Sequence, residues 1–63
     1  MSITGIKLQL AGLDGNAFSI LGRAMSALLE NDFLELADKY YAEATSGDYD
    51  HLLATTANYF DAY

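Results

Sequence analysis

The chain has 63 residues, no cysteine, one histidine and a formal charge of −6, with 52% of its residues hydrophobic. It is therefore one small domain, without disulfides or a thiolate zinc site to reinforce it. A single core below roughly 70–80 residues seldom supplies more than about 3–5 kcal/mol of stability. So high an apolar fraction points to self-association.

Charge is unevenly placed. Up to Leu29 the net is +1, from Lys7, Arg23 and Asp14. From Glu30 onward eight acids stand against Lys39 alone, a net of −7. Nucleic-acid affinity comes mainly from Lys and Arg neutralising phosphates, so direct DNA or RNA binding is not expected. An acidic flank suits a partner with a basic surface, or serves simply as a solvated face. No apolar run approaches the roughly 18 residues of a membrane span, and no basic start leads into a cleavable apolar segment. A cytoplasmic location is the expectation, compatible with the lack of cysteine.

Ile6-Lys7-Leu8-Gln9-Leu10 alternates apolar and polar residues, the period of a half-buried strand. A lone strand leaves backbone groups unpaired. Two partners are open to it: the same strand of a second copy across a two-fold axis, or Asn58–Tyr63 in extended form. Ala11 to Gly15 reads as a turn, after which Asn16 or Asp14 caps a helix.

From Asn16 to Leu29, Phe18, Leu21, Met25 and Leu28 recur at steps of three and four, widened by Ala17, Ile20 and Ala24. This is the face of an amphipathic helix around which the rest of the chain is arranged. Gly22 in its interior suggests close approach by a neighbouring element. Asp32 and Glu35 read as a capping-box variant opening a second helix, whose buried face is Phe33, Leu36, Ala37, Tyr40 and Ala44. Thr45-Ser46-Gly47-Asp48 breaks the chain, with Gly47 as stop and Ser46 or Asp48 as the next cap. Tyr49, Leu52, Leu53, Thr56 and Phe60 give a third helical stripe, weakening after about Ala57. The last six residues read either as a final helical turn or as a short strand. The fold class is thus α+β and helix-dominated: an N-terminal strand, three helices and a C-terminal strand if the tail extends.

For chemistry, Asp48, Asp50 and His51 are the only metal-like cluster. Asp50 and His51 are adjacent on a helix, so they point about 100° apart and do not share an ion. Ser19, Ser26 and Ser46 lack a nucleophile-elbow context. The chain is read as non-enzymatic, with no cofactor. Six rings, Tyr40, Tyr41, Tyr49, Tyr59, Phe60 and Tyr63, crowd the last 24 residues. Tyrosine combines apolar area with a polar tip and is enriched at interfaces. With Tyr40, Tyr49 and Phe60 assigned to the core, the candidate partner-binding residues are Tyr41, Tyr59 and Tyr63 with Asp48 and Asp50. An alternative site for a nucleotide-like ligand is the Gly12–Asn16 turn, using Gly12, Gly15 and Asn16 with Arg23 nearby. It lacks the G-K-[ST] of a phosphate loop, and Asp14 adds negative charge there.

Gly15 to Arg23 (G-N-A-F-S-I-L-G-R) and Glu43 to Leu53 (E-A-T-S-G-D-Y-D-H-L-L) resemble two blocks of a group of short uncharacterised proteins of bacteria, phages and prophages. The blocks cover about a third of the chain. In that group the link between them is basic and often contains G-V-P; Leu28–Phe33 is acidic and lacks proline. The resemblance implies a phage accessory protein that inhibits a host protein by occupying its surface, components of antiviral defence among the targets. A purely structural or regulatory homo-oligomer is the remaining alternative.

Overall fold

The computed structural model describes residues 2–12 and 15–63; Leu13 and Asp14, assigned above to the turn before the first helix, lie outside the described residues. The elements run β1 (Lys7–Leu8), α1 (Ala17–Glu30), α2 (Leu34–Ala44), α3 (Tyr49–Tyr59) and β2 (Asp61–Ala62). The architecture is helix-dominated α+β, with one short strand before the helices and one after them.

β1 finds its partner within the chain. β2 lies beside it in parallel, Lys7 in register with Asp61 and Leu8 with Ala62. Asp61 N–H donates to the Ile6 carbonyl (2.8 Å), Tyr63 N–H to the Leu8 carbonyl (3.0 Å), and Leu10 N–H to the Tyr63 carbonyl (2.6 Å). The tail resolves into both readings in succession: α3 runs through Tyr59, then Phe60 turns extended (φ −126°, ψ 157°) and leads into β2. The N-terminal segment also closes the end of α3. Ile3 N–H donates to the Asn58 carbonyl, and the Thr4 N–H and hydroxyl both donate to that of Tyr59. These satisfy carbonyls that a helix end otherwise leaves unpaired.

Asn16 is the N-cap of α1, its side chain accepting from Phe18 N–H at 2.8 Å. The expected capping box at Asp32 is not formed. Asp32 instead takes a left-handed conformation (φ 64°) just past the end of α1. Phe33 N–H donates to the Leu28 carbonyl and Asp32 N–H to that of Leu29. This is the paired C-terminal closure that usually places glycine where Asp32 stands. Because Asp32 is consumed in ending α1, α2 starts from Phe33 with no side-chain cap. α2 in turn ends at Ala44 with Thr45 as its cap, before Gly47 is reached. Asp48 does cap α3, accepting from His51 N–H at 2.9 Å.

The core gathers Leu8, Ile20, Leu21, Ala24 and Leu28 with Ala37, Tyr40, Ala44, Leu52, Tyr59 and Phe60. Three expectations for the first helix and the rings are corrected here. Phe18, counted on the buried stripe of α1, is 80% exposed; Ile20 and Ala24 carry the contact instead. Tyr49, assigned to the core, is exposed. An added Cβ at Gly22 would meet no atom of the described residues within 4 Å, so none of the described elements packs closely on α1 there.

At the centre, the Tyr40 ring stands edge-on to Tyr59 (centroids 5.2 Å, 71°) and to Phe60 (5.8 Å, 85°). Such edge-to-face contacts add about 0.5–1.5 kcal/mol each beyond the area buried. The Thr56 hydroxyl donates to the Leu52 carbonyl (2.8 Å) and lies 2.7 Å from the Tyr40 hydroxyl. Since its one proton is committed to Leu52, Tyr40 is the donor of that second bond.

Candidate interaction surface

All eight acids from Glu30 onward stay at the surface. Three of the six crowded rings, Tyr40, Tyr59 and Phe60, turn inward, and Tyr41, Tyr49 and Tyr63 are left among those acids. Tyr41 is 49% and Tyr63 63% exposed. Tyr59 is not part of this surface. Its ring is 1% exposed, and its hydroxyl reaches Glu43 Oε2 at 2.6 Å. Burial, and then the hydrogen bond and charge of Glu43, push its pKa up to about 12. The reason is helical phase: Tyr59 stands seven residues past Leu52, on the buried stripe of Leu52, Thr55 and Thr56, and Phe60 turns inward beside it from extended backbone once the helix has ended.

The remaining candidates stand on three different elements: Tyr41 on α2, Asp48 and Asp50 at the start of α3, and Tyr63 beyond β2. Asp48 is partly committed to capping, whereas Asp50 sits in the first turn of α3, where its charge complements the helix dipole.

Sequence reasoning missed the contacts that His51 makes. Its Nε2 lies 2.9 Å from the Glu43 carbonyl and 3.1 Å from Ser46 Oγ. The pairing has the outline of a Ser–His dyad, but its proton arrangement is wrong for catalysis. Ser46 Oγ already donates to the Glu43 carbonyl at 2.7 Å. A carbonyl only accepts, so Nε2 must carry a proton to bond it, and then has no lone pair with which to activate serine. The arrangement ties the end of α2 to the first turn of α3. Gly47 makes room for it, since a Cβ there would fall 2.9 Å from His51 Cβ and Cγ. A legible signal was the spacing of Ser46, Gly47 and His51: a residue three past the cap can fold back over a side-chain-free turn.

The four residues of the alternative ligand site do not converge. Gly12 and Gly15 have positive φ (87° and 76°), as the turn requires. Asn16 is engaged as a cap. Arg23 lies two turns further along α1, in an open groove it shares with Leu8, Phe18, Gly22, Ala27 and Glu30. None of the three turn residues lines that groove. Among the described residues, no group of three or more His, Cys, Asp or Glu side chains is gathered as a metal would need, and no helix is long and apolar enough to cross a membrane.

Comparison with protein-family models, with curated proteins and with solved structures gave no match.

Proposed function

We propose that this chain is a small acidic interaction protein, without enzymatic activity, that binds and inhibits a host protein presenting a basic surface. It is read as phage-encoded, acting in the host cytoplasm as a homodimer, with a component of antiviral defence as the target class. The observation that carries the reading is the company of exposed tyrosines and acids over the second half of the chain. Tyr41, Tyr49 and Tyr63 offer apolar area with a polar tip among eight surface carboxylates. A basic partner would be steered by the charge and held by the rings.

The test is capture of a specific host protein at low salt by the wild-type chain and by variants. Tyr41→Ala with Tyr63→Ala, and separately Asp50→Asn, should each release it while helix content stays unchanged. Binding should also weaken as salt rises, because exposed charges are screened. Capture that ignores both the variants and salt would count against this surface.

A further inference from the structure

β1 has two edges, and β2 takes only one of them. The Ile6 and Leu8 carbonyls and the Leu10 N–H turn toward β2 and Tyr63. Backbone groups alternate along an extended chain, so the N–H and C=O groups of Lys7 and Gln9 turn to the opposite edge. Both residues are exposed. The open groove beside α1 borders Leu8 and no residue of β2, and among the described residues no hydrogen bond takes the backbone groups of Lys7 or Gln9 on that edge. On the apolar side of the strand, Leu8 is buried, but Ile6 and Leu10 are only partly covered.

We propose that this second edge of β1 pairs antiparallel with β1 of a second copy, giving a four-stranded sheet in the order β2, β1, β1 of the partner, β2 of the partner. The proposal names the interface of the homodimer read above and rests on that reading. The sequence of the strand sets its register. Centring the two-fold axis on Lys7 would place two ammonium groups directly opposite each other, which destabilises a sheet. Centring it on Leu8 sets each Lys7 against Gln9 of the other copy and keeps the whole of Ile6–Leu10 paired. In that register Lys7 and Gln9 form hydrogen-bonded pairs, exchanging four backbone bonds across the axis. Ile6 then lies opposite Leu10, so the two half-covered residues cover each other. Asp61, in register with Lys7 on the β2 side, offsets its charge within each copy. No proline guards the strand, because the chain has none.

The experiment is sedimentation equilibrium on the full chain and three variants at position 9. Gln9→Pro removes one edge donor per copy and leaves the bonds to β2 intact, so it should raise the dimer dissociation constant about thirty-fold or more. Gln9→Glu places a carboxylate opposite Lys7 twice by symmetry and should tighten the dimer about threefold; Gln9→Lys should loosen it by a similar factor. The charge pair keeps the test decisive if the proline variant fails to fold. A wild-type chain still monomeric at about 1 mM would overturn self-association and this interface together. A dimer indifferent to Glu and Lys at position 9 would overturn the interface alone.

Discussion

The Tyr59 hydroxyl donates to Glu43 Oε2 at 2.6 Å, joining α3 to α2 from a ring that is otherwise sealed in the core. Glu43 itself is exposed, so its carboxylate can recover water if the bond is lost. Tyr59→Phe should therefore cost only about 1 kcal/mol, lowering the melting temperature by roughly 4–8 °C in a domain of this size. Tyr59→Ala would leave a ring-sized cavity worth about 3–5 kcal/mol, enough to unfold a chain with so small a reserve. Urea denaturation followed by circular dichroism measures both.

The same contact makes stability depend on alkaline pH. The folded-state pKa of Tyr59 stands at about 12 against an ordinary value of 10.0. A raised value means the native state holds its proton more tightly than the unfolded chain does. The contribution is therefore fully present below pH 10 and lost as pH rises through about 12. Burial also raises the pKa of Tyr40. The denaturation midpoint should fall over this interval, and Tyr59→Phe should fall less steeply than wild type. An equal slope in both would remove Tyr59 from the account.

In the core, Tyr40 donates to Thr56, which donates to the Leu52 carbonyl. Thr56→Val keeps the shape but strands the buried tyrosine hydroxyl, at a cost of about 1–3 kcal/mol. Adding Tyr40→Phe removes the orphaned group, so the double variant should be no less stable than Thr56→Val alone. A double-mutant cycle by chemical denaturation reads the coupling directly. Additive losses would mean that the two hydroxyls do not depend on each other.

The left-handed Asp32 offers a stabilising change. Glycine carries no Cβ penalty in that conformation, so Asp32→Gly should raise stability by about 1 kcal/mol. A melting temperature that falls instead would show that the aspartate side chain contributes more to the turn than its backbone costs.

Two further glycines should respond in opposite directions to alanine. Gly22 is helical with nothing within 4 Å of an added Cβ, so Gly22→Ala should stabilise by about 0.5–1 kcal/mol. At Gly47 the added Cβ would press on His51 Cβ and Cγ at 2.9 Å, atoms that cannot swing aside without moving α3. Gly47→Ala should therefore destabilise by about 1–3 kcal/mol and loosen the Nε2 bond to Glu43. Thermal unfolding of the two variants side by side checks the contrast.

What the sequence determined by itself was local: three helical segments, because their periodicity is written in consecutive residues, and the caps to within a pair, Asn16 or Asp14 and Ser46 or Asp48, because a cap bonds only within its own first turn; the structure uses Asn16 and Asp48. A strand within Ile6–Leu10 was legible for the same reason, though it forms over Lys7–Leu8 alone, and which of two partners it would take was not. Tertiary structure decided the rotation of each helix about its own axis. That is why Phe18 faces outward while Ile20 and Ala24 of the same wide stripe face in, and why Tyr49 lies outside and Tyr59 inside. It also decided Asp32, whose residue type suits either the end of one helix or the start of the next. The candidate surface was readable at Tyr41, Asp50 and Tyr63 as exposed positions, but not at Tyr59. The spacing of Leu52, Thr55 and Thr56 does reach Tyr59, but only tertiary packing chose that stripe over the one through Tyr49 and Phe60, because the chain leaves the helix after Tyr59 and lets Phe60 turn inward from extended backbone.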